Sequence, residues 1–341
     1  MSPLPRAAHR APQNRPRALS RRGTRAAATV AAAALLAGCG VRLDTPPPAV
    51  PTPDAVEVLR QDAAVDAATI TGTVSEITDA DPAVAAALRD AAADAQSHST
   101  ALGGVWMAWP EGAPAGVATP EVSTAAPTAE PTARDALTLV REGAASARAG
   151  ALEADDDALA AVLAAVSISR ADAAADLAAA LGEPAAASAG APMTAEDLRG
   201  VGVDGVTVRV LDSARYSLET VAARSKGAAR EDAAERATYL QGLVDAAIAA
   251  GAPDERMGAY DLTGPLTGPG GVEGADVATG PSLSAEQNLA VAAEQVLLAH
   301  WTYLLGRADP GHREALVAAA EDAAARVHAW GGTLPALPGL G

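Results

Sequence analysis

Apolar side chains recur along this chain at spacings of three and four residues, and that period constrains the fold more than any other feature. Val56, Leu59, Ala63, Ala67, Ile70, Val74 and Ile77 form one such series, which lays a single stripe along a helix of 3.6 residues per turn. Thr52 reads as its N-cap, with Pro53 at the first helical position and Asp54 at the positive end of the dipole. Asp81-Pro82 ends this helix and opens a second. Its stripe is Val84, Leu88, Ala91, Ala95, His98 and Leu102, and Gly103-Gly104 stops it. The stripes are filled mostly by Ala, Leu and Val, because the chain has no Phe and only 2% aromatic residues. Alanine has the highest helix propensity and lets helix axes approach closely, so such a core predicts an all-α fold.

The same period continues. Thr132, with Asp135 three residues on, opens a helix bearing Leu137, Val140, Ala144 and Ala147. Asp155 to Asp157 start a fourth, which carries Leu159, Leu163, Val166, Ala173, Leu177 and Leu181 to a stop at Gly182. Residues 183–193 are rich in Pro, Ala, Ser and Gly, the composition of a linker. Beyond it, one helix holds Val210, Ala214, Leu218, Val221 and Ala222, with 206–210 (VTVRV) read as helix start or loop. A second holds Ala237, Leu240, Val244 and Ile248 up to Gly251. A Gly/Pro-rich crossover over 263–281 follows. Ser284 and Gln287 then form a capping box for a helix with Leu289, Ala293, Val296, His300 and Tyr303 on one stripe. Asp309-Pro310 breaks the chain before a last helix with Leu316, Ala320, Ala323 and Val327 inward. Each half therefore reads as hairpin, long connection, hairpin: two four-helix bundles over 53–182 and 194–341, a topology shared with ferritin-like folds.

The N-terminal region has a different logic. Seven arginines precede an uncharged run from Ala26 to Gly38 whose 13 residues are too few to span a bilayer core. The run ends in Leu36-Ala37-Gly38-Cys39, which holds the only cysteine and resembles a bacterial lipobox. That resemblance implies a signal peptide over 1–38, a thioether-linked diacylglycerol on Cys39, and cleavage before it by the lipoprotein-processing machinery. Ser20-Arg21-Arg22 hints at twin-arginine export, although Thr24 and Arg25 stand where that signal usually has apolar residues. From Cys39 the Pro-rich stretch 39–52 reads as an extended tether, able to hold the body some 40 Å from the lipid at about 3.1 Å per residue. Removing the seven arginines leaves 18 Lys and Arg against 42 Asp and Glu, a formal charge of −24. Such a balance argues against an extended basic face for nucleic acid or anionic lipid. With Cys39 lipidated, no thiol remains for a disulfide or thiolate metal site.

Three stretches resemble a family of ferritin-like, uncharacterised domains in envelope lipoproteins of high-GC Gram-positive bacteria. They are Cys39-GVRLDTPPP, DSARYSLETVAAR at 212–224, and AWGGTLPALPGLG at 329–341. The resemblance implies an outer-face, membrane-anchored location and a C-terminal ferritin-like bundle, and carries no reaction with it. A di-iron bundle needs Glu-x-x-His on two helices, and the motif is absent from this sequence. His300 with Glu219, Glu235 and Glu321 would have to converge from different helices to hold a single iron or other transition metal. The alternative for His300 is a core imidazole hydrogen-bonded to one partner. Asp94 and His98 share a helical face near Arg170 and have the residue types of an acid/base pair, but read structurally as a helix-end contact. Trp106-Met107-Ala108-Trp109 reads as a cover over a bundle end, and Asp155 to Asp157 as charges complementing a helix dipole. Phosphate-loop, GxSxG, HExxH and CxxC motifs are absent. The residues favour a non-enzymatic binding or scaffolding module for an envelope protein or small ligand. A ferritin-like redox enzyme with a degenerate site is the alternative.

Overall fold

The computed structural model describes residues 48–118, 130–184, 190–262 and 283–340. The lipobox, most of the tether and the 263–281 crossover lie outside them. A small unit that includes 48–49 and 114–117 stands apart from the body and contains a turn closed by the Val117 N–H on the Pro114 carbonyl. Among the described residues the body is all-helical: α1 (Ala55–Glu76), α2 (Pro82–Ala101), α3 (Ala133–Glu153), α4 (Asp157–Leu181), α5 (Ala195–Gly200), α6 (Gly205–Arg224), α7 (Ala228–Ala249), α8 (Ala285–Leu305) and α9 (Arg313–Ala329).

Most boundaries follow local chemistry. Thr132 and Asp135 close a reciprocal capping box at α3, and Ser284 and Gln287 do so at α8. Gly182 ends α4 in the left-handed conformation at φ 68°, where a side chain would be strained. The start of α1 corrects the expectation: the cap is Asp54, whose carboxylate accepts the Glu57 N–H at 2.8 Å. Asp54 and Glu57 have capping-box spacing, which outcompetes the Thr52 hydroxyl two residues earlier. Residues 206–210 are helical within α6, because Thr207, Val208, Val210 and Leu211 are buried there and tertiary packing overrides β-branched propensity.

Helices α1 to α4 pack in a ring, each against two principal neighbours in the order α1, α2, α4, α3. In the second half α6 packs on α7 and α8, and α8 on α9. Helix α4 touches α1, α2 and α3 and also α8 and α9, which explains its composition. It is long and apolar enough to cross a membrane, yet it buries Ala160, Leu163, Val166, Ile168, Ala174 and Leu177 within the fold. A helix surrounded by neighbours is apolar on every side, so the single stripe expected for it is too narrow. Close approach to α3 runs through Gly143 and Gly150, where an added Cβ would stand 3.1 Å from Arg170 and from Leu163 respectively. One apolar cluster joins Ala63, Ala151, Leu163 and Ile168 to Leu211, Leu240, Leu297 and Leu316. A smaller one, around Ile70, Leu88, Leu137 and Leu177, fills the far end of the first half. The segment after 189 packs on α9, with the Ala191 N–H on the Ala318 carbonyl at 3.0 Å, and leads through buried Met193 into the unforeseen helix α5.

Candidate ligand cleft

The four residues weighed for a metal have separate surroundings. His300 is fully buried on α8, with its ring 5.5 Å from that of Trp301 and 6.2 Å from that of Tyr303. Neither ring nitrogen has a hydrogen-bond partner among the described residues, which corrects the expectation of one. Burial holds its pKa down at about 4, the Asp204 charge pulling the other way. Glu219 has a side chain 53% exposed and is engaged by Arg215 Nη1 at 2.6 Å. Glu321 accepts from Arg148 Nε at 2.9 Å, its other oxygen being buried without a partner among the described residues. Glu235 is exposed. Among the described residues no three His, Cys, Asp or Glu side chains gather as a metal-holding group.

Asp94 and His98 also face different neighbours. His98 Nε2 lies 2.8 Å from the Ala336 carbonyl and 3.1 Å from Ser169 Oγ. The carbonyl can only accept, so Nε2 carries the proton. This is an interior bond to the C-terminal segment and to α4, not the helix-end contact expected. Burial lowers the His98 pKa to about 4. Asp94 is raised to about 6 by burial and by the Asp172 and Asp90 charges. Arg170 is spent on the Ala63 and Gly143 carbonyls, at 2.7 and 3.0 Å. The Trp106 segment folds back on α1: Gln61 Oε1 accepts the Trp106 N–H at 2.9 Å and Arg60 holds the Gly104 carbonyl at 2.7 Å. Met107 is exposed. Of the three acids at 155–157, Asp156 caps α4 and Asp157 pairs with Arg313 at 2.7 Å.

A cleft of about 660 Å³ opens at the other end of the second half, within the usual size range of small-molecule sites. It gathers the end of α6, the first half of α7, the start of α8 and the end of α9. Its floor is a buried ion network. Arg236 meets Glu294 in a bidentate pair at 3.0 and 2.8 Å and reaches Asp322 at 2.9 Å. Burial pushes the Glu294 carboxyl above its ordinary range, and the Arg236 charge draws it down. The Arg236 guanidinium also lies 4.8 Å from the ring centre of Tyr239, whose hydroxyl donates to the Met193 carbonyl at 2.8 Å. This network was not read from the sequence. Its one local signal is a charged Glu294 sharing a helical face with Ala290, Leu297 and Trp301.

Around that floor stand Arg224 and Lys226, the sole lysine of the chain, with Asp232, Glu235, Glu286 and Trp330. None of these five charges has an ion-pair partner among the described residues. The cleft therefore presents both signs of unpaired charge beside Tyr239 and Trp330, over a buried ion network. Compared with protein-family models, curated proteins and solved structures, the chain matches none.

Proposed function

We propose that this chain is a lipid-anchored helical binding module at the outer face of the cell membrane, with the cleft between α6, α7, α8 and α9 as its ligand site. The cleft is the observation that carries the binding assignment: residues from four helix ends converge on one volume with charges unspent on each other. The anchor draws its support from Leu36, Ala37, Gly38 and Cys39, from the uncharged run before them and from the Pro-rich stretch after them. The acidic balance of the chain supports a role apart from nucleic acid. In this reading α1 to α4 form an N-terminal bundle and α6 to α9 a ferritin-like one, supported by the α6–α7 and α8–α9 hairpin pairings. The redox alternative needs Glu219, His300 and Glu321 around one ion, and the partners of Glu219 and Glu321 are arginines.

Replacing Cys39 with serine removes the thiolate that would carry lipid. The Cys39→Ser protein is expected in the soluble fraction or as unprocessed precursor, measured by fractionation and intact mass. Processed, membrane-bound Cys39→Ser protein overturns the anchor. The binding reading is tested separately, through the cleft.

A further inference from the structure

We infer that the cleft takes a short peptide with free termini, its carboxylate held by Arg224 and Lys226 and its ammonium by Asp232 and Glu235. This inference rests on the cleft being a ligand site and adds the class of ligand. The cations and the carboxylates occupy successive levels of one wall. Arg224 and Lys226 stand at the corner joining α6 to α7, while Asp232 and Glu235 follow on α7 itself, facing the same volume. At 1.5 Å per residue, Asp232 and Glu235 lie about 6 and 10 Å along the helix from its first residue. A peptide of two or three residues spans about 7 to 11 Å at 3.3–3.6 Å per residue.

Simpler ligands leave part of this set unsatisfied. A plain anion at Arg224 and Lys226 leaves Asp232 and Glu235 without a counter-charge, and a plain amine at those carboxylates leaves the two cations without one. Arg236 and Arg326 cannot relieve either mismatch, since Arg236 is held by Glu294 and Asp322, and Arg326 by Asp322 at 3.1 Å. A single amino acid separates its charges by too little to reach both levels. Trp330 and Tyr239 line the same volume and suit an apolar side chain.

The test is calorimetric titration of the whole chain in detergent with trialanine, N-acetyl-trialanine, trialanine amide, acetate and methylammonium. The indole N–H resonance of Trp330, assigned through Trp330→Phe, is followed in parallel. Trialanine is expected to bind, and blocking either terminus to weaken it at least tenfold. Lys226→Met should weaken trialanine at least fivefold and leave the amide unchanged, while Glu235→Gln should do the same for the acetylated peptide. Equal affinity for blocked and free peptides overturns the inference. If acetate or methylammonium shifts the Trp330 signal while trialanine does not, the ligand class falls and the cleft remains a binding site. If none of the five shifts that signal, both fall.

Discussion

His300 and His98 are imidazoles placed where water cannot reach them, and both are held near pKa 4 by burial. The sign of the linkage follows from that depression. Above about 6.5, the ordinary value, both are neutral folded and unfolded; as pH falls, the unfolded chain takes protons that the folded one refuses. Stability is therefore lost between about pH 6.5 and 4. His300 also leaves a buried N–H without an acceptor, which costs about 1–3 kcal/mol, and leucine of similar volume carries no such cost. We predict that His300→Leu leaves stability at pH 7 unchanged or raises it by about 1–2 kcal/mol, and makes the loss below pH 6.5 shallower. Urea unfolding at pH 7 and pH 5 checks both. A destabilisation beyond about 2 kcal/mol, or an unchanged slope, refutes the account, and a stoichiometric metal-dependent melting shift lost in the variant would favour the redox alternative. The place of His300 on an apolar stripe was legible in the sequence, since helical period alone puts it there. Its lack of a partner was not, because the surfaces around it come from elements distant along the chain.

Capping chemistry was the most legible part of the fold, being decided within four residues. The box at Ser284 and the helix start at Thr132 form as read, and the cap at Asp54 went unread because Thr52-Pro53 offered a competing pattern. Each cap satisfies N–H groups that the helix leaves open, so Thr132→Ala and Ser284→Ala should each cost about 1 kcal/mol. Ser284→Ala should leave a helix starting later at the cleft mouth. Measured unfolding free energies for the two variants and for the pair, whose helices lie in different halves, should add within about 0.5 kcal/mol; no loss in either variant removes these caps from the account of stability. Helix pairing was less legible, and α4 shows why. A stripe drawn on one face assumes one neighbour, whereas α4 packs against α1, α2, α3, α8 and α9, and its Ala-rich sequence is the signature of that enclosure. The cleft was hidden for a related reason. Arg224, Asp232 and Glu286 read as solvated charges on their own helices and gather with Trp330 around one cleft only where four helix ends meet.

The composition shift around 183–193 suggests a boundary, yet the apolar cluster containing Leu163 and Ile168 also contains Leu240 and Leu316. Polar ties follow the same route. Arg313 is buried and engages the Ala154 carbonyl and Asp157, Arg148 reaches Glu314 and Glu321 at 2.8 and 2.9 Å, and His328 meets Asp172 at 2.7 Å. The hydrogen bond to Asp172 raises the His328 pKa, so its contribution is complete below about 6.5 and lost as pH rises through the folded value. Shared apolar packing makes separation of the halves costly, since exposing either face returns alanine and leucine surface to water. We therefore predict one cooperative unfolding transition, seen at the same denaturant concentration by far-ultraviolet circular dichroism and by separate single-tryptophan reporters at Trp106 and Trp330. Arg313→Met keeps much of the side-chain volume and leaves the fully buried Ala154 carbonyl without its donor, at a cost of about 1–3 kcal/mol. The two reporters should move down together by that amount, although Trp106 lies in the half without the substitution. If the Trp330 transition shifts alone, or two transitions appear in the parent, the halves are energetically independent bundles, and the contacts of α4 with α8 and α9 carry no cooperativity.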